Sequence, residues 1–311
     1  MRLDVVIPTY NRHQSLSRTL KSLERARIPQ NLIVGITAVD NNSTDDTRAV
    51  VEAWKNRLPQ LSYVYEQRQG RSFALNAGID ATSGDLIGFI DDDEEIDAAW
   101  FETIQKTFTG CDVDFIGGPY VPRWEIDPPT WLPRKYCGVI GDIQSGNTII
   151  AFDENYPGIL MGGNAVIKRT ILTKVGHYLT SVSRKGKTLL AGEDEDMYIR
   201  LLEAKAKGLY IPDLKIYHHI PAHRLTKQYF RRWCFWRGVS SGVLDRKRPA
   251  DVAYLFGVPR YLYGAALRGM LSNVASVWRR TDASHRFCNE LAGWDLAGFF
   301  YGKHFYFPGE V

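Results

Sequence analysis

The sequence predicts an α/β fold, a mainly parallel sheet flanked by helices, followed by a helical C-terminal region. Three observations predict it. Short apolar runs alternate with amphipathic runs of helix length through the first half of the chain, the pattern of right-handed βαβ units. Polar residues follow three of the apolar runs, at Thr9-Tyr10-Asn11, Asp40-Asn41-Asn42 and Asp91-Asp92-Asp93. In such sheets ligands sit beyond the carboxyl ends of the strands. The charge is also uneven. From Ile220 onward there are 14 Lys and Arg against 6 Asp and Glu, a local +8, which leaves −4 for the first 219 residues of a chain at +4 overall. An acidic front and a basic tail predict two parts, a domain over 1–219 and a basic, aromatic-rich region over 220–311.

Each element follows from its pattern. LDVVIP (3–8), LIVGITAVD (32–40), LSYVYE (61–66) and DLIGFID (85–91) read as strands. SLSRTLKSLERARI (15–28) reads as a helix with Leu16, Leu20 and Leu23 on one face. TDDTRAVVEAWKNRL (44–58), RSFALNAGIDAT (71–82) and AAWFETIQKTF (98–108) are further helices, and VDFIGGPYV (113–121) a further strand. Residues 122–160, rich in Pro, Trp and Gly, read as a long ordered loop. GGNAVIKRTILTKVG (162–176) returns to strand and helix, and residues 185–208 are a loop feeding a helix.

Composition narrows the class. With 44% hydrophobic and 24% charged residues, the 311-residue chain suits a globular protein with a sizeable core. Its four cysteines are widely spaced, with no CxxC pair, which argues against a disulfide framework or a zinc site and fits a reducing compartment. MRLDVVIPTYNR enters strand-like sequence directly, with no leader-like apolar core, so the expected location is cytoplasmic. No apolar run reaches the roughly 18 residues of a spanning helix; the best, Val252 to Trp278, is broken by Pro259, Arg260 and Arg268. The turn after the first strand, PTYNRH, lacks the glycines of a dinucleotide fingerprint. Gly186-Lys187-Thr188 has Ser181 where a phosphate loop needs its earlier glycine; a basic loop is the better reading. DNNSTDDT and DDDEEID lack the glycine of a calcium loop.

The carboxylates carry the chemistry. In GFIDDDEEID (88–97) five acids in a row follow a strand. Such crowding raises the energy of the ionised state. Glu94, Glu95 and Asp97 are explained by the start of the helix at 98–108. Three aspartates against a buried strand end are not, and a divalent cation relieves their repulsion. Mg²⁺ or Mn²⁺ takes one or two carboxylates and completes its shell with water and substrate phosphates. A second cluster, GEDEDMYIRLLEA (192–204), reads either as helix capping or as the source of a general base.

With these stretches in view, the chain resembles a known family. VVIPTYNR (5–12), VDNNSTDDT (39–47), QGRSFALNAGI (69–79), FIDDDEE (89–95), GGNAVIKR (162–169) and GEDEDMYIRL (192–201) are similar, in order and spacing, to the motif series of inverting glycosyltransferases of family 2. That family has the GT-A fold, a Rossmann-like sheet. The resemblance implies that Asp40 accepts a hydrogen bond from the nucleotide base, usually uracil, with Pro8, Thr9 and Tyr10 lining the same pocket. It implies Arg71 near the nucleotide or its diphosphate, Asp91 on the ribose, Asp93 on the metal and Asp92 between them. Asp194 is the implied base with Glu193 beside it. His219 matches a position that in some relatives meets the metal or diphosphate, although a lone His at a strand end is as readily structural. Gly162, Gly163 and Asn164 border the sugar and the acceptor.

The expected activity is therefore transfer of a sugar, UDP-linked, to a hydroxyl acceptor with inversion, assisted by Mn²⁺ or Mg²⁺ bound through Asp93, Asp91 and His219. The expected acceptor is a saccharide or lipid-linked saccharide of a cell-surface polymer. A nucleotidyltransferase uses similar groups but carries a Gly-rich loop after its first strand. A non-catalytic nucleotide-sugar binder is the third reading. HRLTKQYFRRWCFWRG (223–238) predicts a helix with Leu225, Tyr229, Trp233 and Trp236 on one stripe and Arg224, Lys227 and Arg231 opposite. Those aromatics either pack on the catalytic domain or, over 223–280, rest on the inner face of an anionic plasma membrane. No nucleic-acid-binding motif is present.

Overall fold

In the computed structural model, residues 1–186, 188–276 and 282–307 are described. Lys187 and Trp278, named above, lie outside them. The chain forms two compact units. The first comprises Met1–Pro122, Ile143–Thr180 and Glu193–His219. Arg123–Asp142 and Ser181–Gly192, which the sequence reading keeps inside a 1–219 domain, cluster with the chain from Ile220 onward.

The first unit begins with β1 (Arg2–Thr9), α1 (His13–Arg25), β2 (Ile33–Asp40), α2 (Thr47–Trp54), β3 (Leu61–Tyr65), α3 (Arg71–Asp80) and β4 (Leu86–Phe89). It continues with β5 (Glu94–Ile96), α4 (Trp100–Gly110), β6 (Phe115–Gly117), β7 (Tyr120–Trp124) and β8 (Ile150–Phe152). It ends with β9 (Ala165–Lys168), α5 (Arg169–Val175), α6 (Glu193–Glu203), β10 (Gly208–Tyr210) and β11 (Ile216–Ile220). The main sheet has the order β3-β2-β1-β4-β9-β6-β10-β8. Pairings among β3, β2, β1 and β4 are parallel; β9 runs antiparallel between β4 and β6.

Two-residue periodicity sorts the core. Leu3, Val5 and Ile7 of β1 join one apolar cluster with Leu16 and Leu20 of α1, Val51 of α2 and Trp100 of α4. Val6 points the other way, to Leu75 of α3, Leu172 of α5 and Met197 of α6. Three helices thus cover each face, and β1 is buried from Leu3 to Thr9, as both-face burial of a parallel strand requires. Strand order reverses around β1, between β2 and β4, and that switch point opens a crevice at the strand ends.

Two elements depart from the sequence reading. Gly118 and Pro119 break the expected 113–121 strand, so β6 stays in the main sheet while β7 joins a small sheet of order β5-β11-β7. Glu94 and Glu95 do not start α4. They form β5, paired antiparallel with β11, His218 opposite Glu94 and Tyr217 opposite Glu95. Only Asp97 acts as expected at the helix start, its carboxylate accepting from the Ala99 N–H at 2.9 Å.

In the second unit the long-loop reading of 122–160 gives way to a 3₁₀ turn at Arg134–Ile140. Then come α7 (Lys227–Lys247), a hairpin of β12 (Tyr254–Leu255) and β13 (Val258–Pro259), α8 (Arg260–Ser276) and α9 (Ala283–His304). α7 outruns the expected 223–238. Its buried stripe is Phe230, Cys234, Gly238 and Gly242, one residue away from the Tyr229/Trp233 stripe read from the sequence. Glycines explain the shift. A Cβ on Gly238 or Gly242 would lie 2.2 Å from the Asp295 carbonyl or 2.4 Å from that of Phe299, and one on Gly298 would lie 1.9 Å from that of Phe235. Backbone therefore meets backbone, and α7 and α9 run parallel. Arg231, read as part of the helix's basic side, pairs with Glu290 at 2.6 Å, and Arg237 pairs with Asp295 at 2.8 Å. Arg224 is buried. The hydrophobic core of this unit holds Phe230, Phe287 and Leu291.

Candidate active site

The strand ends of β1, β2 and β4 bring the first group together. Pro8 and Thr9 are buried in β1, Thr9 paired in register with Asp40. The Thr9 hydroxyl donates to Asp92 at 2.8 Å, while Tyr10 is 40% exposed just beyond. The Asp40 carboxylate accepts from the Ser43 N–H and the Tyr63 hydroxyl, both at 2.8 Å. Asn41 ties the next loop down. Its amide donates to the carbonyls of Glu66 and Arg68, and its oxygen accepts from the Gly70 N–H at 2.7 Å. This anchors the start of α3 and aims Arg71, its first residue.

Arg71 is the centre of the cluster. Its guanidinium donates to Asp91 at 2.9 and 3.0 Å, to Asp194 at 3.1 Å and to Glu193 at 3.3 Å. Burial works against its charge, but Asp91, Asp194 and Glu193 more than offset that and hold it protonated. Arg12 does the same for the next pair, 3.1 Å from both Asp92 and Asp93. Two arginines thus answer the repulsion within the acidic run.

Asp194 sits in the first turn of α6, where the helix dipole favours a carboxylate. Its second oxygen accepts from the Gly162 N–H at 3.0 Å. A Cβ on Gly162 would lie 2.2 Å from Asp194, and one on Gly163 would lie 2.5 Å from Glu94. The Gly-Gly pair leaves room for two carboxylates. Asn164, read as a residue bordering the sugar, turns inward. Its oxygen accepts from the Trp100 indole at 3.0 Å and its amide donates to the Leu214 carbonyl at 2.7 Å. It positions the Gly-Gly turn from within.

Of the two adjacent histidines, His218 is the one that faces Asp93, with Nε2 3.7 Å from Oδ1. His219 lies on the other side of β11 and its ring bonds Glu95. Strand alternation forces that split. Among the described residues, no three His, Cys, Asp or Glu converge as a self-sufficient metal cage.

Arg12, Glu94, Tyr120 and His218 escape the sequence reading. Arg12 lies in the PTYNR turn, where only its neighbours carry a signal. Glu94 lies in the acidic run but reads as part of a helix start. Tyr120 has no signal. Its hydroxyl is buried, with no hydrogen-bond partner among the described residues. Burial, then the charges of Glu94, Asp91 and Asp194, push its ionisation up.

Burial first, then Asp93 and Asp91 acting against Arg12 and Thr9, pushes Asp92 up to about 6. Burial, followed by Asp91 and Asp93, raises Glu94 well above the usual carboxylate range. A raised carboxyl favours the protonated form in the folded state. Its contribution to stability is present below the unfolded value near 4.5 and is lost as pH rises through the folded value. Glu94→Gln removes that loss. In thermal unfolding without ligand, the variant should match wild type near pH 4 and exceed it increasingly towards pH 8. A wild type that gains on the variant over that range would refute the assignment.

An acidic rim at parallel strand ends, faced by a carboxylate on a helix start and bridged by arginines, sits where ligands of doubly wound α/β proteins bind. Residues 4–176 match the family described as Glycosyl transferase family 2. The Glucosyl-dolichyl phosphate glucuronosyltransferase of Haloferax volcanii is 26% identical over 256 residues, 80% of this chain and 79% of that protein. The Succinoglycan biosynthesis protein ExoM of Rhizobium meliloti is 24% identical over 246 residues, 78% of this chain and 75% of that one. The mannosyltransferase PcManGT from Pyrobaculum calidifontis, solved with GDP-Man and Mn²⁺, has the same fold at a TM-score of 0.65 and 18% identity. That match covers 97% of this chain and 86% of the other. The chain belongs to glycosyl transferase family 2, and it is a glycosyltransferase with the GT-A fold.

Proposed function

We propose that the protein transfers a sugar from a UDP-linked donor to a hydroxyl of a saccharide or lipid-linked saccharide, with inversion, in the synthesis of a surface polysaccharide or glycolipid. The carrying observation is Arg71. One guanidinium touches Asp91, on the strand-end rim, and Asp194, on α6, so the two acidic motifs, far apart in sequence, meet at one point. The names of the two relatives, one a lipid-phosphate-linked sugar and one a polysaccharide, support the acceptor class. Among the described residues no helix is long and apolar enough to cross a membrane. The four cysteines are free thiols. Both suit an enzyme working from the inner face of the plasma membrane.

Asp40, with Pro8, Thr9 and Tyr10, forms the base and ribose end of the donor site, and Asp91 and Asp92 follow towards the diphosphate. The diphosphate competes with Asp91 and Asp194 for Arg71, and that frees one oxygen of Asp194. The Asp194 carboxylate, with Glu193 behind it, takes the proton of the acceptor hydroxyl. The acceptor oxygen bonds to the anomeric carbon as the bond from that carbon to the diphosphate oxygen breaks, and UDP leaves with the bonding pair. Gly162 and Gly163 border the sugar and let Asp194 and Glu94 come close to the chain there. A divalent cation, Mn²⁺ or Mg²⁺, would be held by Asp93 and His218, which face each other, rather than by His219, with water and phosphate oxygens completing its shell. When bound, it offsets the charge that grows on the departing diphosphate.

A panel of sugar nucleotides, with Mn²⁺ and a short saccharide acceptor, tests this. UDP release from one UDP-sugar and a product of opposite anomeric configuration are expected. A product of retained configuration, or no turnover across UDP-, GDP- and dTDP-sugars, would contradict it. Pyrophosphate release from a nucleoside triphosphate and a sugar phosphate would make the protein a nucleotidyltransferase.

A further inference from the structure

The outer side of α8 is apolar where a water-facing helix is polar. Leu267, Met270, Leu271 and Val274 are 57%, 68%, 60% and 64% exposed. Their spacing of three and four residues places them on one stripe. The opposite stripe is already used: Gly269 and Ser276 are buried, and a Cβ on Gly269 would lie 2.5 Å from the Asn289 carbonyl of α9. A helix apolar on both sides needs a second apolar partner.

The hairpin before α8 adds an independent observation. Phe256, at its tip, has φ 49, a region that bulky residues avoid, yet its ring is 76% exposed. The turn is held in place by the His304 ring, which donates to the Phe256 carbonyl at 2.9 Å. Beside His304 the rings of Phe300 and Phe305 are partly exposed as well. Both residues of this two-residue loop take positive φ, a position that favours Asn or Gly, so the bulky Phe256 adds a second exposed apolar group at the start of α8.

Charge selects the partner. The 30 residues between Asp251 and Asp282 contain four Arg and no acid, and Arg260 and Arg268 of α8 are exposed. In a symmetric pairing of two copies, the same patch meets itself and sets arginine against arginine. An anionic lipid surface offers opposite charge and an apolar interior together. We propose that α8 lies flat in the interface of an anionic membrane, Leu267, Met270, Leu271 and Val274 downward, with Phe256 as a second point of insertion. At 17 residues the helix is about 25 Å long, so it rests in the plane instead of crossing. Within the 223–280 stretch read from sequence as packing on the catalytic domain or resting on a membrane, α7 has Arg231 and Arg237 engaged by α9, and α8 is the part left to meet the membrane. The proposal goes beyond the transferase reading and needs neither donor nor acceptor.

Flotation of the full chain with vesicles tests it. Wild type should float with an equal mixture of phosphatidylcholine and phosphatidylglycerol, and weakly with phosphatidylcholine alone. Leu267→Glu/Leu271→Glu should lower partition to anionic vesicles by about tenfold or more, with circular dichroism and thermal midpoint unchanged because both side chains face solvent. Phe256→Ser should give a smaller loss in the same direction. Equal flotation of wild type and both variants would overturn the proposal. So would a wild type that does not float but sediments as a dimer that the double variant dissociates. Turnover on a water-soluble acceptor is read separately: its absence with flotation intact removes the transferase reading alone.

Discussion

Asp194→Asn is expected to lower kcat by about 10²–10⁴-fold, the usual contribution of a positioned base, while UDP affinity stays within about twofold. The substitution is nearly isosteric. The Asn oxygen still accepts from the Gly162 N–H, 3.0 Å away in wild type, so the Gly-Gly turn and the start of α6 keep their places. What disappears is the negative charge that takes the acceptor's proton. Arg71 loses one of three carboxylates but keeps Asp91 and Glu193. Steady-state turnover and UDP titration together separate the outcomes. Unchanged turnover removes Asp194 as the base, and lost UDP binding makes it part of the donor seat.

The second large effect is expected for Asp93→Ala, a fall of about 10²–10³ in turnover, comparable with removal of one charge-stabilising group, together with loss of stimulation by Mn²⁺. Asp93 is a source of repulsion in the ligand-free protein, since its charge raises both Asp92 and Glu94. Its removal leaves Arg12 paired with Asp92, 3.1 Å away, and the midpoint without ligand should stay level or rise. A variant that unfolds early, or keeps full Mn²⁺-dependent turnover, would contradict the role.

Much of this architecture is legible in the amino-acid sequence. β1, β2 and β4 announce themselves because a strand buried on both faces must be apolar throughout, and the polar residue ending each run then marks the rim. Asp40, Arg71, Asp91–Asp93, Glu193 and Asp194 are readable as motifs, and the fold gathers Asp91, Glu193 and Asp194 around the Arg71 guanidinium. The small sheet is not readable. β5 is three residues, two of them acidic, and it exists because β11, more than 100 residues later, supplies its partner. That pairing also decides which histidine turns towards Asp93, a choice between neighbours that composition does not encode. The register of α7 is hidden for a related reason. Its buried stripe is drawn by Gly238 and Gly242, residues with no apolar signal whose role is to let α9 come close. Asn164 looks like a ligand contact in sequence, yet the Trp100 indole and the Leu214 carbonyl consume its side chain.

The central claim is that a nucleoside diphosphate and a divalent cation share the seat formed by the strand-end aspartates. Thermal unfolding with UDP, Mn²⁺, both or neither, on wild type and Asp93→Ala, tests it most directly. A ligand at about 100 times its dissociation constant adds about 2.7 kcal/mol of stability. The expected result is a large shift for wild type only with UDP and Mn²⁺ together, and none for Asp93→Ala. A full shift with UDP alone, a shift that survives in Asp93→Ala, or no shift with UDP, GDP or dTDP would contradict the claim.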